Sequence, residues 1–142
     1  MTGNELFLID TNLFVYAFER EEGIKNKKAK ELLNRCWQGK DSFAVSLQNL
    51  VEFVSVTTRK AKLDFDQAKN AVWVVINFSG FKKINYSTRT IISAAEIADE
   101  FNMSFWDSLL AVTMRENGIF NIYTENTRDF KMPWINAVNP FK

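Results

Sequence analysis

The sequence contains no histidine, and that absence removes more chemistry than any other feature of its composition. Serine–histidine and cysteine–histidine nucleophile pairs, histidine general bases and histidine-ligated zinc are all excluded. Cysteine is nearly absent too. Cys36 stands alone, so no internal disulfide can form, and a cytoplasmic setting is the expectation. Gly3, Gly23, Gly39, Gly80 and Gly118 are too scattered to build a dinucleotide-binding or P-loop pattern. No apolar run approaches the roughly 18 residues of a membrane span, and residues 1–4 carry no basic leader segment. The net charge is +1, from 18 basic and 17 acidic residues, so no strongly basic field announces a nucleic-acid binder. An enzyme of this composition must work through carboxylates, a metal ion, or Lys, Tyr and Ser.

What is present suits an ordinary core. The 142 residues point to one domain, and 46% hydrophobic residues with 13 Phe and 4 Trp supply filling for it. Residues 5–9 (ELFLI) read as a short buried strand, followed by an amphipathic stretch at 12–19 with Thr11 and Asn12 as caps. Helical periodicity covers 25–38, where Ala29, Leu32, Leu33 and Cys36 share a face, and further helices are expected at 47–60 and 65–78. Strands are expected at 42–45, 82–85 and 120–123, and a short edge strand at 137–138. Residues 90–101 space Ile91, Ala94, Ala95, Ala98 and Phe101 three and four apart, and 105–117 ends at Gly118, a left-handed cap. Such alternation implies an α/β fold, a mostly parallel sheet covered by helices on both faces. Function in such sheets collects beyond the carboxyl ends of the strands.

Three acids stand alone in segments otherwise built for burial. Asp10 is the only charged residue between Glu5 and Glu19, Glu52 between Asp41 and Arg59, and Asp107 between Glu100 and Arg115. Each has a plain structural role open to it. Asp10 can cap the helix that follows, and Asp107 completes a Ser104-x-x-Asp107 capping box. Glu52 lies mid-helix beside Gln48, Asn49 and Ser55 with no cation three or four residues away, so a buried pair with a distant Lys or Arg is its alternative. Asp129, in the TENTRDF run after the last clear strand, joins Asp10 at one edge of the sheet. Four converging carboxylates without His or Cys form a hard oxygen site, suited to Mg²⁺ or Mn²⁺ rather than zinc.

These blocks resemble the PIN-domain family, including the VapC-like toxins of toxin–antitoxin pairs. LFLIDTNLFVYAFERE is similar to the family's first strand and helix, SLQNLVEF to its second segment, and MSFWDSLLAVTMRENGIFNIYTENTRDF to its third. The three blocks together span essentially the whole chain. The resemblance implies a PIN-like three-layer sandwich and an acidic quartet of Asp10, Glu52, Asp107 and Asp129. Thr11, Asn12, Ser46, Thr124 and Asn126 then match positions that orient the acids or the water a metal carries; some relatives have an acid where Asn126 stands. It further implies an Mg²⁺- or Mn²⁺-dependent endoribonuclease acting on RNA, a homodimer, and an antitoxin partner. In that scheme Asp10, Asp107 and Asp129 hold a first cation, and Glu52 binds through water or helps seat a second.

The basic residues divide by position. Lys25, Lys27, Lys28 and Lys30 read as a solvated helix face. Arg59, seven residues after Glu52, and Arg128, beside Asp129, are the candidate phosphate contacts. Tyr16, Phe53, Trp73, Trp106 and Trp134 can stack bases, but core or dimer packing is the commoner fate of such side chains. A haloacid-dehalogenase-like phosphatase needs a second Asp two residues after the first, where this chain has Asn12. The rival of another class is a PIN-like RNA-binding or protein-interaction module without catalysis. Such a module is expected to have lost one or more of the four acids, all of which are intact here.

Overall fold

Leu8 and Ile9, adjacent in one short strand, face opposite layers of the molecule, and this alternation sets the architecture. A computed structural model describes residues 5–20 and 22–142. Residues 1–4, read above for a leader, and Glu21, which ends the opening block, lie outside the described residues. The elements run β1 (Phe7–Ile9), α1 (Thr11–Phe18), α2 (Ile24–Trp37), β2 (Phe43–Ser46), α3 (Leu47–Arg59), α4 (Phe65–Asn77) and β3 (Phe81–Ile84). They continue through α5 (Thr88–Phe101), α6 (Phe105–Glu116), β4 (Asn121–Tyr123), a 3₁₀ turn (Thr127–Asp129) and β5 (Asn136–Val138). The strands form one sheet in the order β3-β2-β1-β4-β5. Every ladder is parallel, that of the short edge strand β5 included.

Two cores result, one on each face. Leu8 pairs in register with Ala44 and Ile122, and all three pack against α5 and α6 through Ala94, Ile97, Leu109, Leu110 and Met114. Ile9, Phe43, Val45 and Phe81 pack on the other face against α1 to α4, with Leu13, Phe14, Leu33, Phe53 and Val75. The result is the expected three-layer α/β sandwich. No helix among the described residues is long and apolar enough to cross a membrane.

Several element boundaries differ from those read in the sequence. The strand expected at 82–85 lies one residue earlier, because Phe81 inserts between Phe14, Trp37 and Phe78, whereas Asn85 stays exposed. The helix expected at 90–101 begins at Thr88, after Ser87, whose backbone N–H donates to the Thr90 hydroxyl at 2.9 Å. Helix α1 is capped by Asp10 rather than by Thr11 or Asn12. Gly118 takes the expected left-handed conformation at φ 71°, and the Ile119 N–H behind it reaches the Met114 carbonyl at 2.9 Å.

The winding places one location apart from the rest. From β1 the chain moves outward to β2 and β3, then returns across the sheet to lay β4 on the other side of β1. Crossovers leave the β1/β4 pair in opposite directions, and the splayed connections open a crevice at its carboxyl end.

Gly80 closes the aromatic corner on which β3 rests. A Cβ there would lie 2.5 Å from Phe78 Cε2 and 3.0 Å from Cys36 Sγ, and the Phe78 ring is itself wedged against Trp37 and Phe81. Gly80→Ala should therefore destabilise the fold by about 1–3 kcal/mol. Urea denaturation followed by circular dichroism measures this. An unchanged midpoint would show that the corner yields freely.

Candidate active site

Asp10 leaves β1 at that crevice. Its Oδ1 accepts from the Thr11 N–H at 2.8 Å, and its Oδ2 accepts from the Thr124 hydroxyl at 2.7 Å. Thr124 directly follows β4 and is fully buried, so the β1–β4 pairing itself delivers this donor. The same hydroxyl accepts from the Asn126 N–H at 3.0 Å, which fixes its direction.

Helix α3 brings the second carboxylate. Ser46 caps it, and Asn49 answers through a reciprocal bond to the Ser46 backbone, so the capping box uses an amide in place of the usual acid. The buried Asn49 then spends its Nδ2 on Asp10 Oδ1 at 3.4 Å and Thr11 Oγ1 at 3.1 Å. Thr11 Oγ1 donates to Glu52 Oε2 at 3.2 Å, and Gln48 Nε2 donates to Glu52 Oε1 at 3.0 Å. Glu52 thus has amide and hydroxyl partners, and no Lys or Arg among the described residues forms an ion pair with it. Asp107 stands in the first turn of α6, where Ser104 Oγ donates to its Oδ2 at 2.8 Å. Asp129 is exposed at the end of the 3₁₀ turn.

Asp10, Thr11, Asn12, Glu52, Asp107, Asn126 and Asp129 all line one cleft of about 430 Å³, together with Val15, Tyr16, Val56, Lys60, Lys62 and Glu125. Ser46 and Thr124 lie behind its wall and act through Asn49 and Asp10. Arg59 and Arg128 are exposed and are not among the lining residues. Lys60 and Lys62 line the cleft instead, at a turn where the intervening Ala61 has a φ of 55°, and Lys62 pairs with Glu19 at 2.6 Å. A left-handed conformation costs a non-glycine residue about 1–2 kcal/mol, a strain fixed in this turn. The Lys25–Lys30 run is mostly a solvated face as expected, but Lys25 pairs with Glu125, which also accepts from Tyr16 Oη at 2.9 Å. Burial pushes the Glu125 carboxyl up, and the bonds from Lys25 and Tyr16 outweigh it and hold it below the usual range. Sequence reasoning passed over Glu125 because its partners lie 100 and 109 residues upstream.

The remaining acids repel one another. Burial, opposed by Thr124 and Thr11, and reinforced by the charges of Glu52 and Asp107, pushes Asp10 up to about 6. Burial, and then the charges of Asp129 and Glu52, raise Asp107 despite its bond from Ser104. No group of three or more acidic or thiol side chains among the described residues is arranged to hold a metal ion unaided. The three-carboxylate grouping of Asp10, Asp107 and Asp129 is accordingly not preformed. Mg²⁺ does not require one, since it keeps several waters and takes one or two carboxylates plus substrate phosphates. An all-oxygen donor set, an Asp10 carboxylate whose charge burial disfavours, and the buried, unpartnered Asn12 Oδ1 fit such a hydrated cation.

A family model for the PIN domain matches residues 7–133. The chain belongs to the PIN domain family. No curated protein matches it significantly. Among solved structures, VapC20 of Mycobacterium tuberculosis, a sarcin-ricin loop cleaving toxin, has a TM-score of 0.65 at 20% identity, covering 90% of this chain and 92% of that one. VapBC2 from Rickettsia felis, bound to a DNA fragment from its promoter, has a TM-score of 0.69 at 16% identity, with coverages of 94% and 98%. DNA-bound VapBC from Salmonella typhimurium gives 0.63 at 21%, with 96% and 98%. At these identities the likeness shows the fold alone.

Folding raises Asp10 from 3.8 to about 6, so the folded chain binds this proton more tightly than the unfolded one. Its ionisation costs stability, up to about 3 kcal/mol, beginning near pH 4 and complete above pH 6. Asn caps a helix as well as Asp does. Metal-free Asp10→Asn should therefore melt higher than the parent at about pH 7.5 in EDTA, with the advantage shrinking toward about pH 4.5. A difference indifferent to pH in thermal melts would show that Asp10 carries no such burden.

Proposed function

We propose that this PIN-domain chain is a metal-dependent endoribonuclease that hydrolyses RNA phosphodiester bonds and serves as the toxin of a VapBC-type pair. The observation that carries the reading is the convergence of Asp10, Glu52, Asp107 and Asp129 from four separate elements on one cleft where the sheet order reverses. A stable fold gains nothing from neighbouring acids whose charges raise the proton affinity of Asp10 and Asp107. A cation offsets that cost, and Mg²⁺ or Mn²⁺ is the class the oxygen donors suit. The toxin VapC20 and the VapBC complexes among the structural neighbours support both the activity and an antitoxin partner.

Each residue has a task in this reading. Asp10, with Asp107 and Asp129, provides the anionic oxygens that hold the cation, and Glu52 does so directly or through water. A divalent cation supplies activation of a water and neutralisation of the charge that builds on phosphorus. Thr124, Thr11 and Asn49 keep the Asp10 carboxylate in one orientation, so no reorganisation is needed during reaction. Lys60 at the rim meets a flanking phosphate, and Lys62 beside it is held by Glu19 at 2.6 Å. A homodimer and an antitoxin are the protein partners. Helices α4 and α5 expose Phe65, Trp73, Val74, Ile76, Ile91 and Ile92, apolar surface suited to such contacts.

Asp10→Asn, Glu52→Gln and Asp107→Asn should each lower cleavage about a hundredfold or more while the circular dichroism spectrum stays unchanged. Thr124→Val, which frees Asp10 Oδ2, should lose about ten- to a hundredfold. Single-turnover cleavage of end-labelled RNA reads both, with EDTA stopping the reaction and Mg²⁺ or Mn²⁺ restoring it. Cleavage that persists in EDTA, or at full rate in the Asp10 variant, overturns the reading.

A further inference from the structure

Beside the carboxylate cleft, on the side of β3, lies a second groove of about 690 Å³ that is mainly apolar. Leu47, Val51 and Ser55, four residues apart on α3, form one wall, with Gln48 and Glu52 next to them. Asn85 and Tyr86, from the loop after β3, and Trp106, at the start of α6, form the other sides. Trp106 is 63% exposed and Val51 69%, although both border buried polar groups. Glu52 lines this groove and the acidic cleft alike, and Trp106 immediately precedes Asp107, so the two spaces adjoin.

Gln48 gives the groove a polar requirement. Its Nε2 donates both to Glu52 Oε1 and to the Trp106 carbonyl, each at 3.0 Å, which fixes which end of the amide is nitrogen. Its Oε1 is therefore the free end, and it is buried with no hydrogen-bond partner. Only 8% of Gln48 is exposed. A buried acceptor left unsatisfied costs about 1–3 kcal/mol. The groove thus asks for a flat apolar body that carries an N–H donor on its edge.

We propose that this groove is a stacking subsite for one unpaired nucleobase of the RNA, next to the scissile phosphate. The base lies against Trp106 or Tyr86, and an amino or imino group on its edge donates to Gln48 Oε1. Bases suit this because each has a π-face to stack and an N–H to give. A second copy of the chain pressing apolar side chains into the groove would leave Gln48 Oε1 without a donor and cut Glu52 off from water. The wider surface gives the substrate a direction. Aromatic groove, Glu52, acidic cleft and the turn carrying Lys60 follow one another along α3, and Lys60 continues into a pocket shared with Arg20, where Glu19 holds Lys62. A base is thus held on one side of the cut and phosphates on the other.

The proposal rests on the ribonuclease reading, and one experiment separates the two. End-labelled single-stranded dodecaribonucleotides are digested with Mn²⁺ present, in a series carrying an abasic residue at successive positions around the cut. The parent should show one position next to the cut where the abasic residue raises KM about tenfold or more. Trp106→Ala should have a similarly raised KM on the intact substrate and no further penalty at that position, whereas Trp106→Phe should retain most of the discrimination. The subsite is overturned, with the nuclease intact, if Trp106→Ala keeps the parent's abasic penalty. It is equally overturned if sedimentation shows Trp106→Ala only converting a dimer to monomers, which would make the groove an interface between copies. A parent chain that neither binds nor cleaves any of these oligonucleotides overturns the ribonuclease reading itself, and the subsite with it.

Discussion

A negative charge that folding would rather not bury organises this molecule. Asp10 sits where β1 ends, between helices leaving in opposite directions, and its carboxylate needs donors that the backbone alone cannot supply. The sheet order meets that need. Because β4 lies beside β1, Thr124 emerges against Asp10 although 114 residues separate them, and because β2 lies on the other side, the α3 cap holds Asn49 against it. Had β4 been added outside β3, no Thr124 hydroxyl would reach the site. The pairing of strands and the pairing of charge with donor are one arrangement.

Helix α3 shows how local chemistry is adjusted to that need. A capping box usually uses Glu or Gln at its third position, but here Asn49 fills it. The shorter amide closes the cap with its oxygen and still offers its nitrogen to Asp10 and Thr11. A Glu would add one more buried negative charge beside Asp10. Thr11 then relays the link to Glu52, so the two acids are joined by neutral donors rather than by a cation from the protein. Glu125 illustrates the opposite solution: Lys25 and Tyr16 neutralise it, and it adds little to the anionic character of the cleft that it also lines.

The legibility of these features in the sequence followed the range of the interactions behind them. Asp10, Glu52 and Asp107 stood out because an isolated charge in an apolar segment needs an explanation whatever the fold, and all three line the cleft. The layered α/β architecture followed from period and alternation, which are local. Boundaries slipped where packing decided them: Phe81 joined β3 because an aromatic corner more than forty residues upstream in sequence accommodates it, and Thr88 joined α5 through a cap formed by its neighbours. The basic residues were the least legible. Helical phase placed Arg59 beside Glu52, but α3 ends there, and the left-handed Ala61 turns Lys60 and Lys62 to the cleft instead. A one-residue change of backbone hand is invisible to periodicity.

The small net charge also finds a physical place in the proposed activity. A strongly basic protein attracts RNA everywhere on its surface, by a force that salt weakens and that carries little positional information. This chain has 18 basic residues against 17 acidic ones, so attraction must be local. Its cleft without a cation presents Asp10, Glu52, Asp107 and Asp129 to an incoming phosphate and repels it, whereas Lys60 at the rim attracts it. Neutralising the acids reverses the sign at the centre and leaves the rim as it was. On the proposed metal-dependent reading, binding at the cut is coupled to the presence of the cation, and an RNA held only by the rim is held away from reaction. The carboxylates that make the empty site costly are in this way the same groups that keep it selective for the loaded state.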